Sequence, residues 1–263
     1  MRRGARFADL LSGLYALLIY AFIFLPVAVL VLFSFQAGRF PVPPFTGPSL
    51  RWYEEVLNDR RLTDALINSI SVAILSSAVA VLLGFLAAYA LARYRVIASP
   101  LWRGLLTAPL SVSYLIIGMG LLILFNEIGL SKSLFAAGLG HVVINMPLCF
   151  AIIYSQMGEH QANIERAARD LGAAELQVLT LITAPMLWPA LFASFFLAVT
   201  FSWDEFVIAF LLTRFDTTLP VEIWALLRSG LNPKTNAIGS LVFLVSIVLI
   251  VLVELAVLRR GRR

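Results

Sequence analysis

The sequence predicts an all-α, polytopic membrane protein with six transmembrane helices, and three observations carry that reading. Of 263 residues, 60% are hydrophobic and only 13% are charged, about half the charged share of a soluble domain. The mean hydropathy is +0.92. The apolar residues lie in long uncharged runs separated by short charged stretches, as a chain that crosses a bilayer repeatedly requires. Water-soluble globular, disordered and fibrous classes are excluded together.

A helix rises about 1.5 Å per residue and the hydrocarbon core is roughly 30 Å thick, so about 20 uncharged residues make one crossing. Six stretches meet that length, at about 10–35, 65–92, 104–126, 133–158, 185–213 and 235–258. They form one transmembrane domain, 1–263, with its longest inner loop at 159–181. The first run is longer than a signal-peptide core and no small-residue cleavage site follows it, so it reads as a retained helix. The fifth is interrupted by Asp204 and Glu205.

An even number of crossings puts both termini on one side. That side carries twelve Lys and Arg (Arg2, Arg3, Arg6, Arg93, Arg95, Arg103, Arg166, Arg169, Arg259, Arg260, Arg262, Arg263), and the other carries eight. The twelve lie close to helix ends, where positive charge marks the cytoplasmic face. Both termini are therefore expected in the cytoplasm. On the outer side Pro41, Pro43, Pro44 and Pro48 precede Arg51-Trp52-Tyr53-Glu54-Glu55, which reads as an extended stretch leading into a short interfacial helix. On the inner side the loop is polar yet has helical signals. Asn163 is a good N-cap, Glu165 suits a first turn, and Gly172 can close the helix in a left-handed turn.

The chain is poor in catalytic chemistry. Cys149 is the one cysteine, so no intrachain disulfide and no Cys/His metal framework is expected. The two lysines, Lys132 and Lys234, lie outside any G-x-x-x-x-G-K-S/T loop, so the chain itself has no phosphate-binding loop for ATP hydrolysis. No catalytic residue, metal site or cofactor is assigned to it. The net charge of +5 reports membrane orientation rather than nucleic-acid binding.

The polar residues inside the spans are the candidate path. Asp204 lies 19 residues beyond Pro185, about 28 Å along a regular helix, which places the acidic pair in the outer half of the membrane. An acid at mid-membrane costs about 2.5 to 3.5 kcal/mol on insertion scales, so two together suggest a wet cavity. Neighbouring helix positions diverge by about 100°, so one of the two is expected to face the path, Asp204 first. Trp203 and Phe206 are placed for cation–π contact. Facing headgroups or bonding a neighbouring helix remains the alternative for the pair. Asn145 with Pro147 marks a polar, kinked stretch, and His141 reads as a capping or interface histidine. Gly118, Gly120 and Gly84 with Ala87 and Ala88 read as close-packing surfaces.

At the inner loop, Ile164-Glu165-Arg166-Ala167-Ala168-Arg169-Asp170-Leu171-Gly172, with Ile182 and Pro185 beyond it, resembles the signature of ABC importer permease subunits. That signature reads Glu-Ala-Ala, three residues, Gly, nine residues, Ile, one residue, Leu-Pro. Ala167, Ala168, Gly172, Ile182 and Pro185 fall at its spacing, while Arg166 stands at the Glu and Ala184 at the Leu. The resemblance implies a type I importer fold in the bacterial cytoplasmic membrane. It also implies a coupling helix docked on an ATP-binding subunit, with Glu165, Arg166, Ala167, Ala168, Gly172, Ile182 and Pro185 as the coupling residues. Whether Glu165 takes the role of the displaced Glu, or the ATPase carries an acid facing Arg166, stays open. The strings Ser202-Trp203-Asp204-Glu205-Phe206, Thr218-Leu219-Pro220-Val221-Glu222 and Asn232-Pro233-Lys234-Thr235-Asn236 resemble the spermidine and putrescine branch, its second permease type. That branch implies uptake of a small organic polycation, with Asp204, Glu205, Trp203 and Asn145 along the path. Its implied partners are a second homologous permease, two ATP-binding subunits holding ATP and Mg, an extracytoplasmic solute-binding protein and membrane lipid. The alternatives are a related importer for opines or another small solute, and a stand-alone secondary transporter.

Overall fold

In hydrocarbon a helix satisfies its backbone donors and acceptors locally, and the apolar runs take that form throughout. The computed structural model describes residues 2–230 and 232–260, with side chains at 11–230, 232–248, 250 and 251. The terminal charges Arg2, Arg3, Arg6, Arg259, Arg260, Arg262 and Arg263 and the terminal Glu254 have side chains outside the described residues. The helices run α1 (Arg2–Ser34), α2 (Arg51–Leu57), α3 (Arg60–Arg93), α4 (Ser99–Thr107), α5 (Tyr114–Glu127), α6 (Leu134–Ser155) and α7 (Glu159–Asp170). They continue as α8 (Glu175–Gln177), α9 (Ala184–Met186), α10 (Trp188–Trp203), α11 (Val207–Leu212), α12 (Leu219–Ser229) and α13 (Pro233–Arg260). No strand occurs among the described residues, and the fold is all-α.

Three helical stretches, Leu11–Ser34, Arg60–Arg93 and Leu134–Ser155, are long and apolar enough to cross a membrane unaided. Two further apolar stretches are bent helix pairs, each a broken span or a re-entrant loop. The stretch 104–126 turns by 106° between Ser111 and Tyr114. Pro109 has no N–H to extend the ladder, Val112 is extended, and Ser113 caps α5 by accepting from the Leu115 N–H at 3.3 Å. The stretch 185–213 is likewise not one regular helix. It bends by 74° at Leu187, just before Pro189 opens α10, and stops at Trp203 before α11 begins. The placing of Asp204 about 28 Å up an unbroken helix is therefore superseded, and Asp204 and Glu205 occupy the break itself. The sixth expected run lies in α13, whose described apolar part is Pro233–Val248.

The chain divides into two compact units, 1–63 with 223–252 and 64–222 with 253–263. In the first, the proline-bearing loop is organised by one buried glutamine. The Gln36 amide donates to the carbonyls of Val42 at 3.3 Å and Pro44 at 3.1 Å, and its Oε1 accepts from the Thr46 N–H. The Gln36 carbonyl accepts from Trp52 Nε1 at 2.7 Å, seating the short helix α2 at the position expected from Arg51-Trp52-Tyr53. Tyr53 then bonds Ser34 at 2.6 Å and Ser240 at 2.8 Å, tying the end of α1 to α13. Lys234 pairs with Asp59 at 2.6 Å, which holds the Asp59 carboxyl below its ordinary range.

In the second unit α6 is the central helix, packed by α10, α11, α5 and α4. One core layer joins Phe85, Cys149, Phe150, Ile153 and Ala198, and another joins Phe125, Ile144, Ile208 and Leu212. Gly84 lets α3 touch the backbone of α6, since a Cβ there would lie 2.8 Å from the Phe150 nitrogen. Gly118 has the same role against Leu211 and Ile208, whereas Gly120 meets nothing within 4 Å and is no packing glycine.

On the inner side Glu175 gathers four hydrogen bonds. Tyr89 (2.5 Å), Tyr94 (2.8 Å) and both Arg169 nitrogens (2.8 and 3.0 Å) donate to its carboxylate. The Arg169 bonds first, then that of Tyr89, hold its pKa at about 2, below the ordinary 4.5. The same cluster raises the pKa of Tyr94, through its bond to Glu175, and of Arg169.

Two tests follow from this packing. Gly84→Val is expected to lower stability in detergent by about 1 to 3 kcal/mol through overpacking. A drop in melting temperature checks it, with Gly104→Ala, where a Cβ meets nothing within 4 Å, unaffected. Because the Glu175 pKa is depressed on folding, its stabilisation is complete above about pH 4.5 and is lost as pH falls towards 2. The side chain is 45% exposed, so the effect is at most about 1 kcal/mol. Melting curves across that window should lose this component in Glu175→Gln.

Candidate functional site

Helix α7 starts at Glu159, directly after Gly158, rather than at Asn163. His160, Gln161 and Ala162 all tolerate helix, so the N-cap is Gly158, five residues earlier than the Asn163 signal implied. Asn163 lies inside the helix and accepts from Arg166 Nη2 at 2.6 Å. The first-turn acid is Glu159, not Glu165, and Arg169 lies in the last turn, so charge complements both ends of the helix dipole. Gly172 closes the helix as expected, at φ +90°. Its N–H donates to the Arg169 carbonyl at 2.9 Å and the Ala173 N–H to that of Ala168 at 3.0 Å, the paired bonds of a Schellman turn.

The two faces of α7 differ. Outward lie Asn163, Arg166, Ala167, Asp170 and Leu171, the last 91% exposed. Inward lies Glu165, fully buried, with Ala168 half-buried. Arg93 at the end of α3 donates to both Glu165 oxygens, Nε to Oε2 at 2.5 Å and Nη2 to Oε1 at 3.2 Å. Thr183 adds a third bond at 3.0 Å. Ile182 is half-buried in the π-helical turn that joins α8 to α9, and Pro185 is exposed in α9. Glu165 therefore points into the chain, while Arg166, Ala167 and Gly172 face out. Neither Arg93 nor Thr183 stood out in sequence, because their partner lies 72 and 18 residues away.

At the break after α10 the two acids part company. Asp204 caps α10, its N–H donating to the Thr200 carbonyl at 3.3 Å, and its side chain is exposed. Glu205 turns inward and is buried. Its carboxylate accepts from the N–H groups of Ile208 at 2.9 and 3.0 Å and Ala209 at 3.2 Å, supplying the start of α11 with acceptors. His141 Nε2 is 3.6 Å from Glu205 Oε2, too long for a hydrogen bond. His141 Nδ1 meets Ser202 Oγ at 2.5 Å, and Ser202 meets Ser76 at 3.3 Å. His141 is thus an interface histidine in mid-α6, not a cap. Trp203 and Asn145 are also buried, with Trp203 Nε1 and Asn145 Nδ2 lacking hydrogen-bond partners. Phe206 stacks on Phe210 at 5.4 Å. Of the four path candidates, the structure leaves Asp204 alone at the surface of the chain.

Residues 80–262 match the family described as the inner membrane component of binding-protein-dependent transport systems. The chain is 29% identical over 247 residues to the spermidine/putrescine transport system permease protein PotC of Escherichia coli K12, covering 94% of this chain and 93% of that protein. It is 36% identical over 234 residues to the putrescine transport system permease protein PotI of the same strain, covering 86% and 83%. A solved chain of a bacterial ABC transporter involved in the import of the acidic polysaccharide alginate superposes with a TM-score of 0.70, over 98% of this chain and 97% of that one. At 18% identity, that likeness concerns fold. The family match spans most of the chain and agrees with the all-α architecture and the helical inner loop. This chain belongs to the inner membrane components of binding-protein-dependent transport systems, as an ABC importer permease of the type I fold and not an enzyme.

Proposed function

We propose that this chain forms half of the membrane path for a small organic polycation, a polyamine such as spermidine or putrescine. The observation that carries the cargo class is the division of labour at the break. Glu205 is engaged by backbone amides, while Asp204 is exposed with no ion pair among the described residues. A carboxylate so placed attracts an ammonium group, and the charge is unshared. The names of the PotC and PotI relatives support the same class. Fold alone does not select it, since the alginate importer handles an anion.

On this reading the path is completed by a second, related permease. Two ATP-binding subunits bind the ATP and Mg, and one of them docks on the outward face of α7, with Arg166, Ala167, Leu171 and Gly172 forming the contact. Glu165, Ala168 and Ile182 shape that helix from within, and Pro185 lies exposed in α9 beyond it. Both termini face the cytoplasm, following the distribution of Lys and Arg. A solute-binding protein delivers the cargo on the opposite side; the related alginate importer has been solved with its periplasmic protein.

Asp204→Asn removes one charge while keeping size. In complexes assembled with their partners and reconstituted in liposomes, uptake of a triamine is expected to fall about tenfold and that of a diamine less, since a charge pair at 4 Å is worth roughly 4 kcal/mol before hydration is returned. Unchanged rates for both cargoes would remove Asp204 from the path. Equal loss for both, with poor assembly, would make its role structural. Gly172→Val places a β-branched residue at φ +90°, costing about 1 to 2 kcal/mol. Cargo import is expected to collapse while the assembled complex still hydrolyses ATP. Normal import by this variant would end the assignment of α7 as the coupling helix.

A further inference from the structure

A displacement applied to the outward face of α7 has to leave through whatever grips its inward face. Two clusters grip it. The Arg169–Glu175 pair also bonds Tyr89 of α3, but its charged groups are wet, with side chains 32% and 45% exposed, and exposed pairs hold little energy. The Arg93–Glu165 pair is dry, at 9% and 0%. Its guanidinium presents two nitrogens to two carboxylate oxygens, a planar fork that resists both sliding and rotation. Thr183 fixes the same carboxylate to the π-helical turn leading into α9. Arg93 is the last residue of α3, the 34-residue helix that carries Ser76 to the His141–Ser202 contact.

We propose that Arg93 is a positioning residue for energy coupling, locking α7 to the end of α3 so that movement of α7 is carried along α3 into the membrane. The proposal rests on the reading of α7 as the ATPase-docking helix. It distinguishes a dry, bidentate lock that transmits motion from an ion pair that merely helps the chain fold. Lysine keeps the charge but has no fork, so it separates geometry from electrostatics.

The test uses the full complex, with the second permease, both ATPase subunits and the binding protein, in proteoliposomes. The readout is ATP hydrolysed per cargo imported, together with recovery of intact complex by size exclusion. Arg93→Gln is expected to assemble, to keep ATP hydrolysis, and to raise the ATP cost per cargo about tenfold, within the usual range of inter-site coupling. Arg93→Lys should fall between that variant and the native chain, and Arg169→Lys should leave the ratio within about twofold. An unchanged ratio in assembled Arg93→Gln overturns the proposal. So does a proportional fall of hydrolysis and import, or failure of both Arg93 variants to assemble, because each marks a folding contact. Failure of the underlying reading looks different, as normal import by Gly172→Val.

Discussion

A helix that breaks inside hydrocarbon strands amide and carbonyl groups where no water can reach them. The unit formed by 64–222 is arranged around how those groups are satisfied. At the turn before α5 the donor is met by a serine hydroxyl, Ser113. At the start of α6 Ser133 does the same for Ala136, and its own N–H closes on the Leu212 carbonyl at the end of α11. At the start of α11 a full carboxylate, Glu205, takes the place of a serine. At the start of α12 the Leu219 N–H reaches across to Ser69 Oγ at 2.7 Å. These four helix starts are each closed by a side chain, three of them local and the last, Ser69, brought from α3, whereas the bend at Leu187 has no side-chain cap.

Two buried carboxylates in this unit are stabilised by opposite means. Glu165 meets a guanidinium and a hydroxyl, while Glu205 meets backbone amides, with an imidazole nearby. The first arrangement joins elements distant in sequence. The second is local, within four residues, and serves to turn the chain. Glu205 is buried and Asp204 exposed on either side of that turn, a divergence that neighbouring positions of an unbroken helix, about 100° apart, also show.

Much of this was legible in composition and spacing, and the missing parts have a common cause. Long uncharged runs announced the helices, the cluster at Arg51-Trp52-Tyr53 announced α2, and Gly172 announced its left-handed turn, because each is a local signal. Hydropathy is blind to axis direction, so the bends at Ser111–Tyr114 and Leu187 did not register despite Pro109 and Pro189. Asn163 signalled a helix start that the tolerant residues before it overrode. Glu165 read as a first-turn acid and a coupling residue because its partner, Arg93, is 72 residues away, and Arg93 itself counted only as one of the inner-side charges. Contacts between distant segments leave little trace in a single sequence.

Helix α1 draws a different consequence from the first unit. Its residues 11–26 are exposed throughout, and lipid offers a leucine side chain nearly what another helix would. Polar fixing comes near its carboxy-terminal end, where Ser34 bonds Tyr53 and Tyr53 in turn bonds Ser240. Tyr53 and Ser240 are 187 residues apart, and ribosomes add about 5 to 20 residues per second. For roughly 10 to 40 s of every synthesis, the first helix therefore sits in the membrane before its final anchor has been made. The order of translation gives this anchor a built-in delay, and for that time α1 is held by solvation in lipid and by its own loop.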